Sequence, residues 1–202
     1  MGSPKPLLPW LGSTLVVRQT EALLDAGTEI VCVVTGNFGG AVSEAVAGSD
    51  KIAHATLKLE RRVLMTPSLR YKEGKTFSIL AGLAVLPPRV SMIALLAVDQ
   101  PRPAVVIEKV LTSHVRSGRP LTSPRFDGHG GHPLVFSATL RRELESITEQ
   151  NEGIREVMRR HGHEINWVQF DDPVVRLDLN TPEAYKAALI NSVAQDSSKA
   201  TQ

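Results

Sequence analysis

Apolar runs alternate with amphipathic segments along this chain, and their order predicts an α/β fold. The run EIVCVVT (29–35) is rich in β-branched residues, which is typical of a strand buried on both faces. The run SMIALLAV (91–98) is the most apolar stretch and predicts the central strand, ending at Asp99. Apolar positions at helical spacing predict a helix over 15–26 before the first strand and one over 77–85 before the second.

The same alternation continues to the end of the chain. Further helices are predicted over 41–47, 104–117, 137–147, 153–161 and 182–194, and further strands over 53–59, 120–123, 133–136 and 164–170. Helices between strands predict a three-layer, Rossmann-like α/β fold with a mostly parallel sheet and right-handed crossovers. We expect one domain over 1–194 and a disordered tail over 195–202.

Composition excludes several function classes. Hydrophobic residues make up 42% of the 202 residues and charged residues 22%, so the chain is neither disordered nor fibrous. The net charge of +2 provides no broad field for nucleic acid or an acidic membrane, and we expect neither as a partner. Cys32 is the only cysteine, and no apolar run approaches the roughly 18 residues that span a bilayer. We therefore expect a cytoplasmic protein.

A carboxylate follows the predicted central strand. Asp99 would emerge at the carboxyl edge of a parallel sheet, where open α/β folds bind ligands. Such a carboxylate suits Mg²⁺, which prefers oxygen ligands and bridges to phosphates. A helix N-cap or turn aspartate explains the position equally well. Asp178 and Asn180, near a later strand end, form a second oxygen pair that could face Asp99.

Two other motifs give weaker indications of a binding site. The GKT of 74–76 resembles the end of a phosphate-binding loop, but Leu69 stands where that motif requires glycine. A polar start to the 77–85 helix is a sufficient explanation. His129 and His132 lie in a glycine-rich segment with no evident third metal ligand, so the glycines more plausibly let backbone approach a ligand closely.

Taken together, these segments resemble the molybdenum cofactor cytidylyltransferase-like (MobA-like) nucleotidyltransferases. The similarity lies in MGSPKPLL (1–8), VTG (34–36), the 78–83 helix with its glycine, LAVDQP (96–101), GHP (131–133), DDP (171–173) and DLNTPE (178–183). It covers residues 1 to about 190. The resemblance implies a nucleotidyltransferase (GT-A-like) fold and an enzyme that joins a nucleoside triphosphate to a phosphate monoester and releases pyrophosphate. It favours CTP as donor and a molybdopterin-type acceptor, with a molybdoenzyme or its maturation factor as a further partner.

The resemblance also implies residue roles. Lys5 and Asp99 would be catalytic, with Lys5 neutralising phosphate charge and Asp99 holding Mg²⁺ against the triphosphate. The remaining implied residues are Thr35, Gly36 and Gly82 for the nucleotide, Gln100, His132 and Asp178 for the acceptor, and Asp178 and Asn180 beside Asp99 for the metal. The acceptor phosphate supplies the nucleophile.

The sequence departs from the family pattern at two places. The family's first strand and glycine-rich loop would precede residue 1, and we expect both to be absent. The segment SLRY (68–71) replaces the family's Asn-Pro, which leaves the base and the acceptor open. Alternatives are the same chemistry with GTP or another acceptor, and a non-catalytic, N-terminally truncated member that binds a cofactor.

Overall fold

The computed structural model describes residues 4–58 and 61–199, with side chains described as far as residue 192. The strands are β1 (Pro9–Trp10), β2 (Ser13–Thr14), β3 (Ile30–Thr35), β4 (Arg62–Pro67), β5 (Met92–Leu95), β6 (Leu121–Phe126), β7 (His129–Gly130), β8 (Leu134–Ser137) and β9 (Ile165–Gln169). The α-helices are α1 (Leu15–Asp25), α2 (Gly39–Ala47), α3 (Asp50–Lys58), α4 (Lys75–Val85), α5 (Ala104–Ser117), α6 (Arg141–Glu145), α7 (Ile154–Arg160) and α8 (Pro182–Lys199). Short 3-10 turns, including Lys5–Leu7 and Pro173–Arg176, connect them.

The larger sheet has the strand order β5-β8-β6-β7, with β9 added to the free side of β6. Because β8 is antiparallel to both β5 and β6, and β9 is parallel to β6, the strands β5, β6 and β9 run in one direction and β8 is reversed. Strands β3 and β4 form a separate parallel pair. Among the described strands, β3 and β5 each pair on one edge alone.

Helices cover both faces of the larger sheet. Phe136 of β8 points into a cluster with Leu83 of α4, Leu144 of α6 and Val157 of α7. The next residue back, Val135, points to the opposite face and packs with α1 and α5. This alternation, which follows from the pleat of a strand, confirms the predicted three-layer α/β fold.

The structure corrects one strand prediction and adds one strand that was not predicted. The segment 53–59 was predicted as a strand, but residues 50–58 form α3, and residue 59 lies outside the described part. Ile52 and Ala55 of α3 are buried one helical turn apart, and the Ser49 hydroxyl accepts a hydrogen bond from the Ile52 amide at 3.3 Å. That contact is a helix-start signal. The strand that pairs with β3 is instead β4, which the sequence analysis did not predict.

Other boundaries also differ from prediction. β5 ends at Leu95, four residues before Asp99, and Asp99 lies in a turn that the Gln100 amide closes on the Ala97 carbonyl at 3.0 Å. The predicted 137–147 helix is a 3-10 turn followed by the short α6. Helix α8 extends to Lys199, so the predicted tail begins inside a helix, and residues 200–202 lie outside the described part. Within the described residues, no helix has the length and apolar character needed to cross a membrane.

Candidate active site

Three of the predicted site residues meet at one point. The Lys5 ammonium lies 3.0 Å from Asp99 Oδ2 and 2.7 Å from Asn180 Oδ1. These residues are 94 and 175 positions from Lys5 in sequence, so only the folded chain brings them together. The carboxylate is 18% exposed and the lysine side chain 35%, which leaves the cluster at the surface and accessible to a ligand.

Packing of the two ends of the domain holds this cluster in place. Leu8 and Trp10, which follow Lys5, are buried in a small core with Leu179 and Ala188. The Leu179 amide donates to the Asp99 carbonyl at 2.8 Å, so the segment carrying Asn180 is fixed to the Asp99 turn by backbone. The positions of Asp99 and Asn180 therefore depend little on Lys5 itself.

Gln100 and Asp178 form a second contact beside the first. Gln100 Nε2 lies 3.3 Å from Asp178 Oδ2. The other oxygens of these two side chains, Gln100 Oε1 and Asp178 Oδ1, are buried and have no hydrogen-bond partner among the described residues. Buried acceptors normally have partners, so these atoms can accept hydrogen bonds from a ligand or from water. Asp178 therefore contacts Gln100, whereas Asp99 and Asn180 both contact Lys5.

The side chain of Gln19 holds the Asp99 turn from helix α1. Its Nε2 donates to the Gln100 carbonyl at 2.9 Å, and its Oε1 accepts from the Arg102 amide at 3.0 Å. Gln19 is buried, so both bonds are shielded from water. No motif in the sequence singles out this residue, because a polar side chain on the apolar face of a helix has no recognisable pattern.

Arg102 is the central positioning residue of the site, and the sequence analysis missed it. It is only 3% exposed, and its guanidinium donates to four backbone carbonyls between 2.8 and 3.0 Å away. The acceptors are the carbonyls of Pro101, His132, Val175 and Leu177. Burial lowers the pKa of Arg102 to about 10, against the opposing effect of Asp178, so the side chain remains charged at neutral pH. One side chain thereby ties together three loops that carry predicted site residues.

His132 lies in one of those loops, preceding a cis peptide bond to Pro133. Its Nδ1 is buried and has no hydrogen-bond partner in the part of the chain that the structure describes. Burial, together with the positive charges of Arg102 and Lys75, lowers the pKa of the imidazole to about 4, against the opposing effects of Asp178 and Asp99. The ring is therefore neutral at pH 7 and can offer a lone pair to a ligand. The exposed His129 instead contacts the Asp127 carbonyl, so the two histidines form no metal pair.

We expect this depressed pKa to make the folding free energy depend on pH. Between about pH 6.5 and 4 the unfolded imidazole binds a proton that the folded one does not, so stability falls as pH decreases through this window, by up to about 3 kcal/mol. His132→Asn should remove that component of the pH dependence. Urea unfolding of both proteins at several pH values measures it. Equal slopes for the two proteins between pH 6.5 and 4 would contradict the assignment.

Two residues predicted to bind the nucleotide lie at the end of β3, next to β4. Thr35 ends β3, and its hydroxyl lies 3.4 Å from the Thr66 carbonyl. A Cβ on the following Gly36 would lie 2.7 Å from the Tyr71 ring, so only glycine allows that ring to pack there. Leu7 and Val98, which lie close in sequence to Lys5 and Asp99, pack against the same apolar cluster as β3. The end of β3 and the lysine cluster therefore share one supporting core.

Gly82, the third predicted nucleotide residue, lies outside these groups. It is buried within α4, and a Cβ there would lie 3.0 Å from Val34 Cγ2. Close packing of α4 on β3 explains the glycine without a ligand. The GKT segment at the start of α4 is also accounted for, because Glu149 Oε1 accepts the Thr76 amide at 2.7 Å. A carboxylate of the protein itself already occupies that helix N-terminus.

A divalent cation fits the lysine cluster. Asp99 Oδ2 and Asn180 Oδ1 already converge on one cation, the Lys5 ammonium, and both are oxygen donors of the kind that Mg²⁺ prefers. Among the described residues no three His, Cys, Asp or Glu side chains are grouped closely enough to hold a metal. A site with few protein ligands is typical of Mg²⁺ that also bridges substrate phosphates.

Comparison with known proteins identifies the family. The MobA-like NTP transferase domain matches residues 1–165, most of the chain. The chain belongs to this family. As a MobA-like NTP transferase it is an enzyme of the nucleotidyltransferase class, which confirms the family and the fold class expected from the sequence.

This MobA-like chain is also similar to individual proteins. It is 32% identical over 188 residues to nicotine blue oxidoreductase of Paenarthrobacter nicotinovorans, covering 89% of this chain and 85% of the relative. Rv0371c of Mycobacterium tuberculosis H37Rv superposes with a TM-score of 0.72 at 24% identity, over 94% of this chain and 90% of that one. Rv0371c has also been solved in complex with manganese. Molybdopterin-guanine dinucleotide biosynthesis protein A of Archaeoglobus fulgidus superposes with a TM-score of 0.56 at 17% identity, over 96% and 92% of the two chains.

Proposed function

We propose that this enzyme transfers a nucleoside monophosphate, with CMP from CTP favoured, to a phosphate monoester of the molybdopterin type and releases pyrophosphate. The observation that carries the proposal is the convergence of Lys5, Asp99 and Asn180 at the surface of a MobA-like domain. A cation and two oxygen donors suit a substrate with crowded negative charge and its counter-ion. We further propose that the protein works in the cytoplasm.

Each group of residues has a separate task in this proposal. Bound Mg²⁺ would supply charge neutralisation on the triphosphate, with Asp99 and Asn180 as its protein ligands. Lys5 binds phosphate oxygens, which disperses the charge that develops during transfer. Thr35 and the adjoining Gly36, which lies beside Tyr71, would contact the nucleotide.

The acceptor side is formed by Gln100, Asp178 and His132. Each of these side chains has a buried atom that can accept a hydrogen bond and that no described side chain or backbone group contacts as a donor. The neutral imidazole and the amide oxygen suit an acceptor that carries N–H groups, as a pterin ring does. Arg102 keeps the loops in register, so that the acceptor phosphate can attack in line.

The direct test is an assay of pyrophosphate release with Mg²⁺, molybdopterin and each of CTP, GTP, ATP and UTP in turn. We expect release with CTP that depends on the acceptor. Release with GTP alone would correct the choice of base, and release with another phosphate monoester would correct the acceptor. Absence of release with every triphosphate, together with retained binding of molybdopterin, would favour the non-catalytic cofactor-binding role.

The role of Lys5 can be tested by binding alone. Lys5→Met should weaken CTP binding about 10- to 100-fold, because one charge-assisted contact to phosphate is lost, and should make the remaining affinity less sensitive to salt. Isothermal calorimetry with Mg²⁺ present measures both effects. The matched control is Lys186→Met, which removes an exposed charge from α8. Unchanged CTP affinity in the Lys5 variant would remove Lys5 from the phosphate site.

The relative at 32% identity supports a second candidate function. Its name describes an oxidoreductase acting on nicotine blue, and it covers 89% of this chain. An oxidoreductase on this fold would need a hydride donor such as a reduced nicotinamide dinucleotide. Incubation with NADPH and nicotine blue, followed by the loss of either absorbance, distinguishes this activity from nucleotidyl transfer.

A further inference from the structure

We propose that the Lys5 ammonium is a tethered cation that occupies the divalent-metal position between Asp99 and Asn180 until a nucleotide binds. The inference rests on the proposed function, because it assigns these two oxygens to the metal. It adds that metal binding without nucleotide is suppressed by the chain itself. Metal and nucleotide then bind as a coupled pair.

The first support is the location of the ammonium. Its 3.0 Å and 2.7 Å contacts use the side-chain oxygens that the metal would need. A Mg²⁺ ion binds oxygen at about 2.1 Å, so an ion held by both oxygens would overlap the space that Lys5 Nζ fills. Two cations in that space would also repel each other strongly. The ammonium and the metal are therefore mutually exclusive.

The second support is the difference in mobility between Lys5 and its partners. The lysine side chain is 35% exposed and its four-carbon stem is flexible, so it can swing out into solvent. Asp99 is held by the Leu179 amide on its carbonyl, and the segment around Asn180 is held by the same contact. Departure of Lys5 would leave both oxygens in place, ready for a metal.

The third support is the new partner that a triphosphate would supply. A triphosphate carries negative charge, so it would stabilise Lys5 outside the metal position and attract the divalent cation into it. Each ligand would then remove an obstacle to the other, which is positive coupling between metal and nucleotide. Without nucleotide, the metal would have to break the salt bridge between Lys5 and Asp99, and the displaced ammonium would gain no phosphate partner in return.

The test is Mn²⁺ binding to the nucleotide-free protein, measured by calorimetry and by the electron paramagnetic resonance signal of free Mn²⁺. Lys5→Met should tighten Mn²⁺ binding about 10-fold, because the competing cation is gone. Lys5→Arg, which keeps the charge, should stay within about twofold of the parent protein. Lys186→Met, which removes an exposed charge on α8, should also stay within about twofold.

Each outcome decides the question. Tightening in Lys5→Met alone supports the tethered cation. Unchanged or weaker Mn²⁺ binding in Lys5→Met overturns it, and equal tightening in Lys186→Met overturns it too, since that result reflects net charge only. The proposed function fails separately, if pyrophosphate release is absent while the Mn²⁺ affinities change as expected. Thermal unfolding of every variant verifies that the fold is retained.

Discussion

Substitution of Asp99 by asparagine should reduce nucleotidyl transfer about 1,000-fold while leaving the fold intact. The carboxylate carries the only negative charge in contact with Lys5 within the described side chains, and it is the proposed metal ligand. Loss of one preorganised electrostatic contact in a transfer site lowers the rate by about 100- to 1,000-fold, and here the metal would be lost as well. Asparagine keeps the size and one oxygen, so packing is preserved. Pyrophosphate release under saturating CTP measures the effect.

The fold should tolerate this change. Asp99 is partly exposed, and pairs of this kind contribute at most about 1 kcal/mol to stability. Asp171→Asn is the matched control, because Asp171 is an exposed carboxylate outside the lysine cluster. We expect it to keep full activity. An Asp99→Asn protein that melts normally and turns over at more than about a tenth of the parent rate would exclude Asp99 as the metal ligand.

Only part of this site could be predicted from the sequence, because its residues come together through long-range contacts. Asp99, Asp178 and Asn180 were selected because they follow apolar runs, and Lys5 because of the resemblance. Asp99 nevertheless lies in a turn, because β5 is only four residues long and ends before it. The Gln19 side chain and the Gln100 amide hold the residues after β5 in that turn. The split of Asp178 away from Asp99 could not be predicted, because it depends on the Gln100 side chain rather than on spacing.

The prediction of the fold was limited in the same way, because tertiary contacts decide the structure of some segments. Helix α3 was interpreted as a strand because 53–59 contains alternating apolar residues, whereas the Ser49 contact and the burial of Ile52 and Ala55 favour a helix. Strand β4 (Arg62–Pro67) starts with a charge and ends with proline, so its sequence does not indicate a strand. It forms because β3 offers it a parallel partner over six residues. Tertiary pairing decides such segments.

Arg102 is the residue for which the environment indicated by the sequence differs most from the environment in the structure. It stands between two prolines in PRP (101–103), a context that is typical of an exposed loop. The side chain is buried because two other loops present three backbone carbonyls to it, and the spacing of residues along the sequence does not show where carbonyls will meet in the fold. The proximity of Arg102 to Asp178, which opposes the lowering of the Arg102 pKa, became visible only in the folded chain.

Replacing Arg102 by methionine should destabilise the protein by about 3 to 5 kcal/mol. The substitution removes the guanidinium donors from the carbonyls of His132, Val175 and Leu177, of which the Val175 carbonyl still accepts from the His132 amide at 2.9 Å. Each lost bond to a charged group is worth about 1.5 to 3 kcal/mol before relaxation. Water can reach some of these carbonyls once the guanidinium is gone, so the total stays below the sum. Urea unfolding at pH 7 measures the loss.

Two further variants separate the effect on stability from the effect on the geometry of the site. Arg102→Lys keeps a charge but lacks the planar fork that reaches several carbonyls at once, so we expect a smaller loss of stability, about 2 kcal/mol, with reduced activity. Arg176→Met is the matched control, since Arg176 is exposed in the loop that carries Val175 and Leu177, and we expect it to change stability by less than about 0.5 kcal/mol. If Arg102→Met unfolds at the same urea concentration as Arg176→Met, the guanidinium does not hold the loops. In that case Gln19 and the Leu179 amide must be sufficient to position Asp99 and Asn180.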